Sequence, residues 1–286
     1  MDRLIRATLP NIRVYVAETT ALAEEANRRH HCYPVAAAAL GRALTGALLL
    51  SATMKEKERI TIRIDGDGPL GLIVADAAGG QARGYVLHPE VDLPLNNGKL
   101  PVGQAVGQGK ISVSRVLYDA VPFTGSAELV SGEIAEDLTN YLYVSEQTPS
   151  SIALGVLVEP NGAISAAGGY FIQAMPDSNP VVLEYVTQTV LALPPVTKLL
   201  SDGKTLEDIV AAIAGDLPFT IHDEQPLSFQ CLCSRERALE LVNTLNDTEL
   251  DEMIKEGTAE IRCHFCNDVY QLTQAEMQAV KTGRQA

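Results

Sequence analysis

The chain has 286 residues, of which 46% are hydrophobic, and its formal net charge is −14. This length fits one large domain with a small one, or two domains of middle size, and the hydrophobic fraction supplies a core but is too low for an integral membrane protein. A chain this acidic repels nucleic acid and anionic membranes, so neither is predicted as a partner. The N-terminus, MDRLIRATLP, lacks the basic stretch and apolar run of a secretory signal, and a cytoplasmic location is predicted.

A long apolar stretch, YPVAAAALGRALTGALLLSATM, covers residues 33–54. A membrane-spanning helix needs about 20 strongly apolar residues without a central charge, whereas Arg42 lies in the middle of this stretch. Its many Ala and Gly residues allow other elements to pack close to it. The sequence therefore predicts a core helix that begins at Pro34, and not a membrane span.

Residues 1–177 predict an N-terminal domain of the α+β class, with a mixed, mostly antiparallel sheet and helices packed on it. Thr19 or Thr20 can cap a helix that runs to about His30. Gly-rich turns separate the strand-like runs, and strands joined by short turns favour antiparallel pairing. These strands are predicted at residues 3–8, 11–16, 59–65, 70–76, 81–87, 110–117, 124–131, 153–160 and 165–175. A helix is predicted from about Ile134 to Val144, between the strands at 124–131 and 153–160.

Residues 178–226 predict a helical connector. Asn179 is suited to cap a helix that has Pro180 at its first position, and Thr205 with Asp208 forms the start of another helix that resembles a capping box. Apolar residues recur on one stripe of each helix, so both stripes must rest on another surface. The segment lacks the Gly/Ser composition of a flexible linker.

Residues 227–286 predict a separate, small α/β module. Ser234 caps one helix, and a second is predicted over about 249–256. The runs AEIRC and DVYQL read as two short strands joined by the turn CHFCN. Thr273 and Glu276 form a capping box for a final helix.

Four of the five cysteines form a C-x-C pair and a C-x-x-C pair that are 29 residues apart: Cys231, Cys233, Cys263 and Cys266. Disulfides are uncommon in the cytosol, so clustered cysteines indicate metal binding or redox chemistry. Zinc prefers a tetrahedron of thiolates, which two close pairs from distant segments can supply. The pattern therefore predicts one zinc ion bound by these four cysteines in the reduced state.

The residues leave two roles open for this site. A module of about 60 residues buries too little apolar surface to be stable by itself, and structural zinc contributes about 10–16 kcal/mol in small peptides, so the site could be a staple. Four thiolates are also oxidisable, and each close pair could form its own local disulfide, so the site could be a redox switch.

Several segments of the chain resemble the bacterial redox-regulated chaperones of the heat shock protein 33 family. The most specific segments are FQCLCSRER and AEIRCHFCND. The N-terminal domain adds RRHHCYPVAAAALGRALTGALLL, GDGPLGLIVADA, SEQTPSS and AAGGYFIQAMP. The resemblance covers essentially the whole chain, and it favours the switch.

The resemblance implies a redox-regulated holdase that needs no ATP and is not an enzyme. Reduced protein would hold zinc on the four cysteines and be largely inactive. Peroxide or hypochlorite, under unfolding conditions, would release the zinc and pair Cys231 with Cys233 and Cys263 with Cys266. The zinc module and the connector would lose structure, and the exposed apolar surface would bind unfolding client proteins, with a homodimer as the oxidised form. Residues 1–177 would be the part that binds clients and dimerises.

Other candidate metal ligands are weighed against simpler interpretations. His30, His31 and Cys32 form a compact cluster, but basic residues are favoured where a helix ends, and Cys32 is interpreted as a partly buried spare thiol. His264 lies inside the CHFC turn, yet four cysteines already complete a tetrahedron.

Three further functions are considered. Gly66, Gly68 and Gly71 match G-x-G-x-x-G, but a strand-like run follows them, so they predict a tight turn and not a nucleotide loop. A thiol-disulfide oxidoreductase would carry C-x-x-C at the start of a helix, which is not its predicted position here. A nucleic-acid-binding zinc ribbon is disfavoured, because residues 227–286 carry six Lys/Arg and ten Asp/Glu, a net charge of −4. A structural zinc protein that acts as an interaction module is the main alternative.

Overall fold

The structure is a computed structural model that describes residues 1–55, 57–117 and 121–284. The chain divides into two compact units, Met1–Gln230 and Cys231–Ala286. The first unit takes in the predicted N-terminal domain together with the predicted connector. The functional division at residues 177 and 226 stays a prediction.

The helices and strands follow the predicted order, with additional elements that the sequence did not predict: helices Val102–Val106 and Val196–Ser201 and strands Thr220–Pro226 and Ser228–Phe229. The first unit begins with β1 (Arg3–Leu9), β2 (Ile12–Glu18), α1 (Thr20–His30), α2 (Pro34–Ser51), β3 (Arg59–Gly66), β4 (Leu72–Ala78), β5 (Gln81–Val86), α3 (Val102–Val106), β6 (Gly109–Val116), β7 (Phe123–Glu128), α4 (Ala135–Glu146), β8 (Ser150–Val158) and β9 (Ile164–Ala174). It ends with α5 (Pro180–Leu191), α6 (Val196–Ser201), α7 (Leu206–Ala214), β10 (Thr220–Pro226) and β11 (Ser228–Phe229). The second unit contains α8 (Arg235–Val242), α9 (Asp247–Glu256), β12 (Thr258–Arg262), β13 (Val269–Thr273) and α10 (Gln274–Gly283).

Two sheets form the first unit, and their strand pairs are antiparallel except for one. One sheet has the order β10-β1-β2-β9-β8, and the other has the order β11-β5-β4-β3-β6-β7. The short β11 pairs with β5 in parallel. The α+β class and the mostly antiparallel pairing predicted from the sequence are confirmed.

Helix α2 lies in the core and contacts strands of both sheets. It is long and apolar enough to span a membrane by length and composition, but 89% of its residues are buried inside the structure, as expected of a core helix. Arg42, in its middle, donates to the Glu133 carboxylate at 2.5 Å. This ion pair allows a charged side chain in an otherwise apolar helix.

Most of the predicted helix caps are confirmed, with one correction. The side chains of Asn179, Thr205, Ser234 and Thr273 each accept a hydrogen bond from an amide in the first turn of their helix. The threonine cap predicted for α1 is not observed, because the side chain of the N-cap residue, Thr19, makes no capping hydrogen bond. The Asp2 carboxylate accepts from the first-turn amides there instead. A cap supplied from 20 residues away leaves no local signal in the sequence.

The three helices of the predicted connector pack on the first sheet. Buried residues of α5, α6 and α7 share one apolar cluster with β1, β2 and β9. The segment that follows was predicted to belong to the helical connector, but Thr220–Pro226 forms a strand that pairs with β1. Its polar sequence shows no apolar alternation, and ion pairs from Arg3 and Arg6 to Glu224 and Asp223 support the pairing.

A buried carboxylate shapes the loop before α4. Asp137 is fully buried and accepts from the backbone amides of Val130, Ser131, Gly132 and Ile134 at 2.8–3.2 Å. Ile134 has φ 71°, a left-handed conformation that is unfavourable for a β-branched residue. The carboxylate therefore holds a backbone turn that the local sequence disfavours.

We expect Asp137→Ala to lower the free energy of unfolding by about 3 kcal/mol, because it leaves several buried amides without an acceptor. Urea unfolding of the reduced protein measures this change. The matched control is Asp202→Ala, which removes an exposed carboxylate paired with Lys198 on the same helix turn and should change stability by less than about 0.5 kcal/mol. Equal effects of the two substitutions would contradict the assigned role.

Candidate metal centre

The second unit has a small core for its size. Its fully packed side chains come from the three helices and from the hairpin of β12 and β13. They are Val242, Leu250, Ile254, Leu272 and Met277. Five such side chains provide little hydrophobic stabilisation for a unit of this length, so a further cross-link is expected.

The hairpin turn places Cys263 and Cys266 on one side. Strands β12 and β13 pair up to Arg262 and Val269, and the turn between them is closed by hydrogen bonds from Cys263 N to Asp268 O (2.9 Å) and from Asn267 N to Cys263 O (2.8 Å). Asn267 adopts φ 62°, which Asn tolerates better than most residues. The backbone amides of Phe265 and Cys266 donate to the Cys263 sulfur. The C-x-x-C spacing thus forms a tight turn whose amides point at a thiol.

The C-x-C segment is held against this turn by the residues that follow it. Ser234 caps α8 directly after Cys233. Arg235, the next residue, forms an ion pair with Glu276 (2.8 Å) and donates to the Gln271 carbonyl (2.7 Å). These bonds tie the start of α8 to β13 and α10, so the two cysteines before α8 reach the hairpin turn.

The four predicted sulfurs converge. Their Sγ atoms all lie within 4.8 Å of one another, with Cys231 3.7 Å from Cys263 and Cys233 3.2 Å from Cys266. A tetrahedral zinc site with Zn–S bonds of about 2.3 Å has sulfurs about 3.8 Å apart. The spacing and the soft donor set therefore suit a metal ion such as zinc. All four cysteines are free thiols.

The electrostatics of the cluster also favour a cation. Burial raises the pKa of the Cys263 thiol and that of the Cys266 thiol, and the amides directed at these sulfurs oppose the shift only in part. Without a cation, four neighbouring thiols resist ionising together, because each new thiolate repels the next. A bound divalent ion reverses this balance and holds coordinating thiols in the deprotonated form.

One residue of the centre was missed from the sequence. The Tyr270 hydroxyl donates to the Cys233 sulfur at 3.2 Å. This hydrogen bond, with burial, raises the pKa of the Tyr270 phenol. Tyr270 lies in β13, where it pairs with Ile261, and only the hairpin register brings it back towards Cys233. An aromatic residue four positions after a C-x-x-C pair carries no signal for this contact.

The other candidate ligands do not join the cluster. His264 is exposed and lies outside the four-cysteine group. Helix α1 ends at His30, His31 follows in a left-handed conformation, and burial raises the pKa of the Cys32 thiol to about 12. Within the part of the chain that the structure describes, these three residues belong to no metal-suited group. The glycine motif at residues 66–71 connects β3 to β4, as a turn between strands.

Comparisons with known proteins find relatives over nearly the whole chain. The chain matches the family described as Hsp33 protein over residues 2–273. It is 48% identical to the 33 kDa chaperonin of Symbiobacterium thermophilum, with 99% of this chain and 98% of that one covered, and 42% identical to the 33 kDa chaperonin of Bacillus subtilis, with 98% of each covered. The crystal structure of the 33 kDa chaperonin of Thermotoga maritima superimposes with a TM-score of 0.93 at 35% identity, covering 99% of this chain and 98% of that one.

These similarities extend over the α+β unit and the cysteine centre alike. The chain belongs to the Hsp33 protein family. The resemblance stated from the sequence is confirmed.

We expect Tyr270→Phe to weaken zinc binding by about tenfold, because it removes a hydrogen bond to a ligand sulfur while keeping the ring. Competition with a chromophoric zinc chelator measures the affinity. Tyr143→Phe is the matched control, since Tyr143 is 68% exposed in α4 of the first unit. If both variants bind zinc as the unmodified protein does, the hydrogen bond has no effect on the centre.

Proposed function

We propose that the protein is a redox-regulated molecular chaperone, an ATP-independent holdase that binds unfolding proteins under oxidative and heat stress. Membership of the Hsp33 family supports the chaperone part of this proposal, since the relatives carry the name 33 kDa chaperonin. The convergence of four thiols on one point is the observation that carries the redox part. We place the protein in the cytoplasm, as a homodimer in its oxidised state.

In the reduced state, Cys231, Cys233, Cys263 and Cys266 would hold one zinc ion. The ion supplies positive charge that keeps the four sulfurs as thiolates. The hairpin turn orients Cys263 and Cys266, and the Arg235 contacts hold the C-x-C segment in reach. This cross-link adds to the small core of the second unit and keeps it folded.

Oxidation would remove the ligands. Two thiolates would give two electrons to one peroxide molecule, which takes two protons from solvent and becomes two water molecules while one S–S bond forms; two disulfides therefore consume two peroxide molecules. Once the thiolates are used up, no ligand remains to hold the ion. Thiolates react with peroxide more readily than thiols do, so the reduced, loaded centre is a suitable target for oxidants.

The pairing of the cysteines decides what oxidation does to the fold. Two short Sγ–Sγ distances join the two segments, Cys231 to Cys263 and Cys233 to Cys266. Disulfides of that kind would staple the second unit and preserve it. We propose the local pairs, Cys231–Cys233 and Cys263–Cys266, which leave the C-x-C segment unattached to the hairpin. The second unit then depends on its small core and unfolds.

The connector is the second element that we expect to lose structure. Only Val186 of α5 is buried among the described residues of that helix, whereas Val181 and Leu191 are 76% and 74% exposed. Helices α6 and α7 cover an apolar face of β1, β2 and β9. Release of these helices would expose both that face and their own apolar stripes, and large exposed apolar patches bind other proteins.

The alternative functions make different demands on the centre. A structural zinc protein acting as an interaction module needs the same four ligands but no response to oxidation. A thiol-disulfide oxidoreductase needs a C-x-x-C pair at a helix start, whereas Cys263 and Cys266 lie in a hairpin turn. The oxidoreductase is therefore the weaker alternative.

The deciding experiment treats zinc-loaded protein with peroxide at elevated temperature and follows zinc release, free thiols and light scattering of a thermally aggregating client. We expect zinc to leave as four thiols disappear, and scattering to fall. Mass spectrometry of the oxidised protein identifies which cysteines are paired. The matched control is Cys32→Ser, which alters the cysteine outside the centre and should change none of these readings.

Two results would overturn the proposal. Retention of zinc after peroxide treatment would make the centre a structural staple. Loss of zinc without any effect on the client would separate the oxidation from chaperone activity. Disulfides between the two segments would contradict only the proposed local pairing, and not the redox-regulated function.

An ion pair that docks the connector predicts a pH dependence. Arg3 in β1 donates to both carboxylate oxygens of Glu207 in α7 at 2.8 Å, and this bond lowers the pKa of Glu207 from 4.5 to about 2. A lowered folded-state pKa stabilises above the unfolded value and is lost as pH falls through the folded value. The stabilising effect of Glu207 should therefore be full above about pH 4.5 and decline towards pH 2.

We expect Glu207→Gln to cost at most about 1 kcal/mol at pH 7, because the carboxylate is 43% exposed and screened by solvent. The difference from the unmodified protein should shrink as the pH falls below about 4.5. Urea unfolding at a series of pH values, followed by circular dichroism, measures it. Glu184→Gln, on the exposed side of α5, is the control that should show no such trend. A difference that does not change with pH would rule out the ion pair as its cause.

A further inference from the structure

The two sheets of the first unit end in the edge strands β10, β8, β11 and β7. An edge strand presents unpaired backbone amides and carbonyls, and proteins usually protect such edges with charge, proline, short length or a covering element. Strand β10 carries Asp223, Glu224 and Pro226, and β11 has only two residues, Ser228 and Phe229. Both of these edges are protected.

Strand β7 is protected by a neighbouring helix. The carbonyl of Ser126 accepts from the Ser145 hydroxyl at 2.8 Å, and the carbonyl of Glu128 accepts from the Asn140 side-chain amide at 3.3 Å. Both donors belong to α4. Side chains of α4 therefore occupy positions that an added strand would take.

Strand β8 is not protected by charge, proline or short length, although the start of α6 lies against Gly155. It has nine residues, SSIALGVLV, without a charge or a proline. The Ile152 amide donates to the Thr139 hydroxyl, and the Pro149 carbonyl pairs with the Ala174 amide. In an antiparallel pair, alternate residues of a strand direct their amide and carbonyl groups towards the neighbouring strand, and the residues between them direct these groups away from it. The even-numbered residues of β8 therefore direct their backbone groups away from β9.

Two residues of β8 are consequently unpaired on the outer side. The amide and carbonyl of Leu154 and those of Val156 face away from β9, and no residue in the described ranges bonds to them. Their side chains project from the face of the sheet that contacts α2, and Val156 is buried there. The outer edge of β8 is thus a free row of hydrogen-bonding groups in the plane of the sheet.

This row lies in a groove, here called the β8 groove, bordered by residues 92–101 on one side and 193–197 on the other. Its volume is about 1320 Å³, larger than the pockets of about 300–1,000 Å³ that hold small molecules, so it suits a length of polypeptide. Free amides and carbonyls can be satisfied by water, by side chains or by another backbone, and an added strand matches the regular spacing of such a row.

We propose that the β8 groove binds an extended segment of an unfolding protein, which adds to β8 as a further strand. The identity of this partner rests on the proposed chaperone function. Backbone pairing reads no particular sequence, so many unfolded segments fit. A second copy of the chain fits less well, because its own β8 lies between the same two walls and would have to approach to about 4.8 Å.

The connector forms one wall of the groove. A Cβ on Gly155 would lie 2.7 Å from the Thr197 side chain, so the start of α6 lies directly over β8. Residues 193–197 belong to the segment that we expect to be released on oxidation. Their departure opens the groove, and binding of an extended segment should strengthen by tenfold or more in the oxidised protein.

The first test uses a fluorescent ten-residue peptide of alternating valine and serine, with a lysine at each end. Two further peptides carry N-methyl groups on one or the other set of alternate amides. We expect oxidised full-length protein to bind the parent peptide and one N-methyl peptide equally, and the other at least tenfold more weakly, since only one set of amides faces β8. Equal binding of all three peptides, or no binding of the parent, overturns the inference.

The second test places a protective charge on the edge. Leu157 is 41% exposed at the end of β8, and Leu157→Lys should weaken peptide binding about tenfold without loss of fold. Val144→Lys adds the same charge at a residue that is 59% exposed in α4, and should bind as the unmodified protein does. Amide hydrogen exchange should slow in residues 152–158 when the peptide binds.

These results separate the inference from the proposed function. If the oxidised protein does not prevent client aggregation, the chaperone function fails. If it does, but Leu157→Lys is equally active and exchange in β8 is unchanged, only strand addition fails. A new dimer seen by sedimentation and abolished by Leu157→Lys would show that the occupant is a second copy, which also overturns the inference.

Discussion

Four cysteine sulfurs brought within 4.8 Å of one another are the constraint on which the second unit depends. Buried thiols ionise together only beside a cation, and a core of five packed side chains provides little stability without a cross-link. On the proposed function, the same cluster stabilises the unit while the thiolates hold a metal ion and destabilises it when they are oxidised. A structure with a larger core would lose this sensitivity, because its stability would no longer depend on the state of the sulfurs.

The first unit differs from the second in what stabilises it. Helix α2 is buried almost throughout and contacts both sheets. Two charged side chains inside the unit have partners: Arg42 pairs with Glu133, and Asp137 accepts from several backbone amides. A core of this kind does not depend on a metal or on redox state. On the proposed function, oxidation would alter the second unit while the part with the two sheets persists, as a chaperone that must hold other proteins requires.

Helices α5, α6 and α7 are intermediate between these extremes. Their apolar stripes pack on β1, β2 and β9, yet α5 leaves several apolar side chains in solvent. Weak burial makes a segment easy to release at small energetic cost. Residues 193–197, which link α5 to α6, also border the open edge of β8, so release of the segment would alter both an apolar face and a row of free backbone groups.

The sequence by itself determined the elements whose signals are local. The core helix from Pro34, the strands up to residue 174, most helix caps and the four-cysteine pattern all follow from spacing and residue type, because neighbours along the chain set them. Tertiary structure decided the rest. Asp2 caps α1 from a distant position, Thr220–Pro226 becomes a strand only because β1 offers an edge, and Tyr270 reaches Cys233 only through the hairpin register. Likewise, β8 resembles any other apolar strand until the sheet order makes it an edge, since pairing partners are a property of the folded chain and not of the segment.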